Sequence, residues 1–349
     1  DAAQTAFQRA LLLATQPGEK AGAYFWMGKT SRAQGNDEAA GAAWQAALEA
    51  DPTGYYSERA RDMLLNRQMI QRCETMDLAV DLNSERPEAE KWLKDKFGIS
   101  PETNLSDLTS ILQDARMQQA AEFWRLGLYE NARQKVEEYR EEFKNDPVIQ
   151  YKLANWLVEL GMYRSAILSA RQVLTLAGMD DTATLNAPLL FNHIRFGVYY
   201  RELVLQIANE MDLDPMLIFS VIRQESLFEP FITSSAGAEG LMQMLPGTAR
   251  DVSTQSGWYP DLKDEDIYRP QVAIRMGSYY LKQQFIQQNG FTPAALAAYN
   301  GGPGNASAWR ELSGDDLDLY LEVVRFQETR NYIRAIVEIY NIYRSFYCR

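Results

Sequence analysis

The sequence predicts an all-α protein in two parts, an α-solenoid of stacked helix pairs over residues 1–186 and a second helical domain over residues 187–349. Three observations predict it. The first 180 or so residues are rich in Ala, Leu, Glu, Gln and Arg, all good helix formers, and hold few strand-like runs. Two segments of this stretch match each other at a spacing of 34 residues. A turn-rich break, "AGMDDTATLNAP", follows near 178–190, and aromatic residues thicken after it.

The elements follow in chain order. In "AYFWMGKTSRAQGNDEAAGAAWQAALEADP", Tyr24, Met27, Gly28, Ala40, Trp44, Ala47 and Pro52 fall at the spacings of a tetratricopeptide-type repeat. Between this segment and the next, "ERPEAEKWLKDKFGISPETNLSDL" reads as further helices, with Pro87 and Pro101 suited to helix starts. The matched pair comes next, "RLGLYENARQKV" (125–136) and "ELGMYRSAILSA" (159–170). Gly127 and Gly161, Tyr129 and Tyr163, and Ala132 and Ala166 are each 34 residues apart, which is the tetratricopeptide period. Small residues such as Ala132 and Ala166 let two antiparallel helices approach closely. Repeats of this kind resemble tetratricopeptide repeats over about 1–60 and 110–180, and they are candidate docking surfaces for protein partners.

Composition excludes several function classes. Lys and Arg number 35 against 47 Asp and Glu, a net charge of −12, so a basic nucleic-acid-binding stripe is not expected. No apolar run approaches the roughly 20 residues of a membrane span. No signal-peptide or lipid-anchor pattern is legible, and the opening at Asp1 is compatible with a processed or trimmed N-terminus. Cys73 and Cys348 are the two cysteines and His193 the single histidine, so neither CxxC nor HExxH exists and no metal or cofactor is expected. His193, in "LLFNHIRFGVYY", has no partner motif and reads as structural. A Cys73–Cys348 disulfide is possible, and the sequence leaves it open.

The chemistry concentrates in the second domain. Asp214 is a candidate N-cap and Pro215 a candidate first residue of a helix "PMLIFSVIRQES". Glu225 lies in its last turn, with Ile222, Val221, Ile218 and Leu217 at three, four, seven and eight residues before it. Apolar neighbours and the negative helix end both disfavour its charge, so its pKa is expected above the usual carboxylate range of about 4.3. A carboxyl that stays protonated near neutral pH suits a general acid.

Three further segments accompany it. "SSAGAEGLMQMLPGTA" (234–249) carries Gly237, Gly240 and Gly247, which mark sharp turns or close backbone approach. "LAAYNGGPGNASAW" (296–309) ends a helix at Tyr299-Asn300 ahead of a glycine-rich loop. "RFQETRNYIRAIVEIYNIY" (325–343) places Glu328 and Tyr332 four apart on one helix face.

In this order and at these distances, Glu-Ser, Gly-Leu-Met-Gln, Ala-Tyr-Asn-x-Gly and Glu-Thr-x-x-Tyr resemble the catalytic domain of the soluble lytic murein transglycosylases. The match runs from about 189 to the C-terminus. The resemblance implies a goose-lysozyme-like helical catalytic domain behind the solenoid. It implies Glu225 as the sole catalytic acid/base, with Ser226 and Gly240 in support. Ser234 falls where the family contacts sugar N-acetyl or hydroxyl groups, and Met242 and Gln243 would line the glycan groove. Tyr299 would hydrogen-bond near the catalytic carboxylate, Asn300 would hold that corner, and Glu328 and Tyr332 would border the cleft. The family's Gln-Ile-Met-Pro run is Gln243-Met244-Leu245-Pro246 here, so Leu245 stands where a methionine helps form the sugar floor.

The implied partner is a peptidoglycan glycan strand, and the implied location is the bacterial envelope, periplasmic or extracellular. The expected reaction is cleavage between N-acetylmuramic acid and N-acetylglucosamine without water, leaving 1,6-anhydro ends. Two alternatives stand beside it. One is a hydrolase of goose-lysozyme type, which needs a second carboxylate such as Glu239 or Asp251. The other is a non-catalytic envelope scaffold or glycan-binding protein.

Overall fold

The computed structural model describes residues 2–349. Among them are 20 α-helices and one 3-10 helix, and in place of strands only three isolated bridges. The all-α expectation holds. The chain forms two compact units, Leu78–Tyr279 and, drawn from both ends of the sequence, Asp1–Asp77 with Tyr280–Arg349. The turn-rich stretch read as a domain break lies inside the first of these units, as the short helix Asp181–Thr184 and its flanking turns.

The Leu78–Tyr279 unit contains two helix hairpins, Ala115–Arg125 with Tyr129–Glu142 and Pro147–Glu159 with Tyr163–Leu176. Their turns are the same turn repeated. Gly127 and Gly161 are left-handed, at φ +75° and +79°. The amide of Leu128 bonds back to the carbonyl of Phe123, and that of Met162 to Leu157. This Schellman-type closure satisfies carbonyls that the helix end would otherwise orphan, and glycine adopts it without a Cβ penalty. Past each turn the same three positions are buried: Ala132, Val136 and Tyr139, then Ala166, Ala170 and Val173.

The other unit carries a third copy. Its helices Pro17–Ala33 and Asp37–Ala50 meet at Gly35, φ +77°, with the Asn36 amide bonded to the Ser31 carbonyl. Ala40, Trp44 and Ala47 occupy the buried positions. Gly28 has a second use, because a Cβ there would come within 2.3 Å of the Trp44 indole nitrogen.

Two proline expectations fail. Pro87 lies inside the helix Leu82–Phe97, which starts earlier because Asp81 caps it, its carboxylate accepting from the amides of Asn83 and Ser84. Pro101 lies in a turn beyond left-handed Gly98 and starts no helix. His193 bonds Glu85 through Nδ1 at 2.7 Å, an arrangement that fits a structural role.

In the unit built from both chain ends, a buried ionic chain links the helices Tyr55–Leu65 and Leu317–Val323. Arg59 donates through Nε to Asp318 (2.8 Å) and through Nη1 to Asp62 (2.6 Å). Lys29 reaches the second oxygen of Asp318 at 2.9 Å, and Arg67 also binds Asp62. Buried charges of this kind are tolerated because each is paired and hydrogen-bonded. Farther along, Tyr340 donates to the Gln71 carbonyl (2.7 Å) and the Asp77 amide to the Tyr347 carbonyl (2.9 Å). Cys73 and Cys348 are joined as a disulfide, 275 residues apart in sequence.

Closing so long a loop restricts the unfolded chain. Replacing both cysteines by serine should lower stability by about 2–5 kcal/mol in urea unfolding; unchanged stability would show that the ionic chain alone closes the unit.

Glu338 gives a second expectation. Its carboxylate accepts from the Tyr55 amide at 2.8 Å, at the start of a helix whose N-cap, Gly54, has no side chain to offer. Burial pushes Glu338 up from its ordinary value of 4.5 to about 7, with Asp51 and Glu58 adding to the rise and Arg334 opposing it. A carboxyl raised on folding contributes stability that is full below its unfolded pKa and is lost as pH rises through the folded one. Glu338→Gln should therefore flatten the pH dependence of stability between about pH 4.5 and 7.5, by about 1–3 kcal/mol, and leave the variant the more stable protein at the alkaline end.

Candidate active site

Glu225 ends a helix that is buried on every side. Pro215 opens it and Asp214 caps it, Oδ1 accepting from the Met216 amide at 2.9 Å. All eight residues from Pro215 to Ile222 are buried, so this is a core helix, apolar all round until its last turn. Its polar residues appear only in the last turn. Arg223 donates to the Arg195 carbonyl (2.8 Å), Gln224 is exposed and Glu225 is half-buried. The glutamate thus emerges where the core helix reaches the surface.

The backbone beyond it is unusual. Leu227 and Phe228 are both left-handed, at φ +51° and +62°. Side-chain-bearing residues avoid that region, and each costs about 1–2 kcal/mol there. Burial of Phe228, whose ring meets that of Tyr199 at 5.2 Å, holds the turn. Glu229 follows, itself a buried carboxylate. Burial raises its pKa, while the Phe231 amide and the charges of Arg133 and Arg164 act the other way.

Ser226 ties this helix end to the second motif. Its hydroxyl lies 3.0 Å from the Ile222 carbonyl and 2.9 Å from the Leu241 carbonyl. The second motif is a tight curl in which Glu239 bridges both Thr233 and Met244. Ser234 closes one turn, its Oγ accepting from the Ala238 amide (3.0 Å), which leaves its O–H available as a donor. Gln243 is left-handed at φ +48° and spends its carboxamide nitrogen on the carbonyls of Gly240 (2.9 Å) and Ile232 (3.3 Å). Its carboxamide oxygen stays available as an acceptor. Gly240, at φ +74°, has the Ile267 carbonyl oxygen 2.5 Å from where a Cβ would stand.

Met242 departs from expectation. It is fully buried, its sulfur facing Gly277 and the Ser278 hydroxyl, so it packs beneath the curl and offers no face to a groove. Leu245, by contrast, is 47 % exposed. Of the candidate second carboxylates, Asp251 is exposed on the helix Pro246–Ser256, and Glu239 has its Oε2 buried without a hydrogen bond.

The third and fourth motifs belong to the other compact unit, where they too are joined by one hydrogen bond. The helix Thr292–Gly301 is buried from Pro293 to Ala298 and then presents half-buried Tyr299 and Asn300. Thr329 donates its hydroxyl to Asn300 Oδ1 at 2.7 Å, and a Cβ on Gly301 would come within 2.7 Å of that same hydroxyl oxygen. Tyr299 leans on Tyr280, ring centres 5.4 Å apart. Glu328 is exposed in the first turn of the helix Gln327–Tyr347. Tyr332, one turn on, is buried and so forms no open border.

The structure therefore brings motif one to motif two and motif three to motif four. Thr329 was missed, although it stands beside Glu328 in the motif. The left-handed pair Leu227-Phe228 and the buried Glu229 have no signal in residue type.

The chain is similar to several known proteins. Residues 202–319 match the family model described as the transglycosylase SLT domain, so a helical protein with such a domain is the class to which fold and motifs point. The soluble lytic murein transglycosylase of Salmonella typhimurium is 32% identical over 162 residues, covering 45% of this chain and 25% of the relative. A membrane-bound lytic murein transglycosylase C from Glaesserella parasuis is 31% identical over 128 residues, covering 34% of this chain and 35% of the relative. Among solved structures, the lytic transglycosylase Slt of Pseudomonas aeruginosa, an inactive Glu-to-Gln mutant, superposes with a TM-score of 0.64 at 26% identity. It covers 96% of this chain and 47% of that one. The 70-kDa soluble lytic transglycosylase of Escherichia coli shares the fold, with a TM-score of 0.67 at 20% identity, covering 94% of this chain and 46% of that one. Over residues 202–319 the chain is thus similar to the transglycosylase SLT domain that the soluble lytic transglycosylases resemble in turn. It spans about a quarter of the length of its soluble curated relative and about half that of the solved ones.

The two glycines of the curl separate conformational strain from steric conflict. Gly237→Ala, left-handed at φ +78° with open space around it, should cost about 1 kcal/mol. Gly240→Ala, which also meets the Ile267 carbonyl, should cost about 2–4 kcal/mol by urea unfolding. Equal costs would mean that the close approach is unimportant.

Proposed function

We propose that this chain cleaves the β-1,4 bond between N-acetylmuramic acid and N-acetylglucosamine in bacterial peptidoglycan without consuming water, with Glu225 as acid and then base. The observation that carries the reading is the placement of Glu225. It stands half-buried at the mouth of a core helix, pinned through Ser226 to the Gly-Leu-Met-Gln curl, inside the stretch that matches the SLT domain. The structurally similar Pseudomonas aeruginosa lytic transglycosylase is inactive with a glutamate changed to glutamine.

One carboxyl suffices if its proton is returned. Glu225 gives a proton to the bridging oxygen as the bond from that oxygen to the muramoyl C1 breaks. The N-acetyl group of the same sugar shields the cation that develops at C1. Glu225, now a carboxylate, takes the proton of the C6 hydroxyl as O6 bonds to C1. The ring closes as a 1,6-anhydro sugar and the catalyst is restored. Holding O6 in place makes the attack intramolecular, where effective molarities are large. A site that excludes water favours this closure over hydrolysis.

The same reading assigns sugar contacts to Ser234, through its free O–H, and to Gln243, through its carboxamide oxygen. It assigns contacts also to Tyr299, Asn300 and Glu328. Met242, Tyr332, Ser226 and Gly240 hold these groups in place. Residues 1–186 serve as the helical array and residues 187–349 as the catalytic segment. No cofactor enters the scheme. The substrate and the Cys73–Cys348 disulfide both suit the oxidising space outside the cytoplasm, periplasmic or extracellular.

Mass spectrometry of muropeptides released from purified peptidoglycan tests the reading. The wild-type protein should release products with 1,6-anhydromuramoyl ends, and Glu225→Gln should fold normally and lose roughly 10²–10⁴-fold or more of the rate. Products one water heavier would make the protein a hydrolase, and full activity of the variant would remove Glu225 from the mechanism.

A further inference from the structure

The unit formed by Asp1–Asp77 and Tyr280–Arg349 contains an open cavity of about 500 Å³, and none of its lining residues belongs to the four motifs. Phe7, Trp26 and Tyr56 give it aromatic walls, and Glu322 and Arg334 stand beside Tyr56. The Tyr56 hydroxyl donates to Glu322 Oε1 at 2.5 Å and accepts from Arg334 Nη2 at 3.0 Å. The Arg334 guanidinium lies against the Tyr56 ring, 5.3 Å from its centre, and its Nε has no hydrogen-bond partner. The size is that of a site for a small organic ligand or one to two sugar rings.

The lining narrows the chemistry of the occupant. A purely apolar molecule would cover the Tyr56–Glu322–Arg334 cluster without bonding it, which is costly. Glu19 and Glu322 repel an anion, and the Arg334 guanidinium presents an N–H donor that a cation leaves unbonded. What remains is a neutral ligand with one apolar face and a polar edge that both donates and accepts. An acetamido group on a sugar ring has this character. Its N–H suits the Glu322 carboxylate, its carbonyl suits the Arg334 guanidinium, and its methyl and the ring's C–H face suit aromatic walls.

We propose that this cavity is a second saccharide site, which takes an N-acetylated amino sugar of a β-1,4-linked glycan strand. The inference rests on the reading of the chain as a peptidoglycan enzyme. A site of this kind would bind the glycan independently of the segment that carries Glu225.

The test is calorimetric titration of Glu225→Gln, which cannot consume the ligand, with the β-1,4 tetramer of N-acetylglucosamine. Two sites are expected. Adding Tyr56→Phe, which keeps the ring and removes the hydroxyl joining Glu322 to Arg334, or adding Arg334→Gln, should leave one. Thermal melts of the variants confirm that each is folded. The β-1,4 tetramer of glucose, which lacks the acetamido group, should not fill the second site. A single site in the parent protein, no binding at all, or two sites retained in both variants would overturn the inference. Anhydro-product analysis reads the catalytic assignment separately. Anhydro products with one binding site sink this inference alone, and a second site without anhydro products sinks the catalytic reading alone.

Discussion

The placement of Glu225 depends on the hydroxyl of Ser226. The helix that delivers the glutamate is core for its first eight residues and has no say in where its last side chain points once it reaches the surface. Ser226 fixes that end by sharing its one hydroxyl proton between a carbonyl of its own helix and the carbonyl of Leu241. The strained pair Leu227-Phe228 then turns the chain away. Strain of this sort persists only where its surroundings over-determine it, and buried Phe228 and the curl of residues 232–244 supply that. A serine directly after the catalytic candidate is therefore a positioning residue, short enough to be buried and able to reach a second chain segment.

The same device appears in the other unit. The Thr329 hydroxyl joins the end of one helix, at Asn300, to the start of another, and Gly301 gives it room. In both places one hydroxyl oxygen ties two successive motifs, 15 residues apart in the first case and 29 in the second. In this chain the motif residues thus include joints between segments as well as the candidate reacting group.

Much of this was legible in the sequence, for physical reasons. Helix class followed from composition, and the hairpins followed from a glycine that must be left-handed at each turn and small or buried residues at fixed offsets beyond it. The start of the Glu225 helix was readable because Asp-Pro is both a cap and a first turn. Other features were not readable. Pro87 looked like a helix start because proline is tolerated best there, yet Asp81 supplies a stronger cap six residues earlier. Met242 and Tyr332 were expected to face a groove, but burial is set by what packs against a residue, which a motif does not record. Nothing in Leu227 or Phe228 announces a left-handed backbone. The pairing of Cys73 with Cys348 was open because sequence distance carries no information on spatial distance.

That pairing and the ionic chain around Arg59 join segments that leave the ribosome at very different times. The first 77 residues and the last 70 form one compact unit, with 202 residues synthesised between them. At roughly 5–20 residues per second the early segment waits about 10–40 s for its partner. During that interval Arg59, Asp62 and Cys73 lack Asp318 and Cys348, whereas the intervening unit has its whole sequence in hand. The helices that carry Tyr299 and Glu328 are thus completed by a segment made well before them, and this half of the motif set comes into being only once the residues from Tyr280 onward have been synthesised.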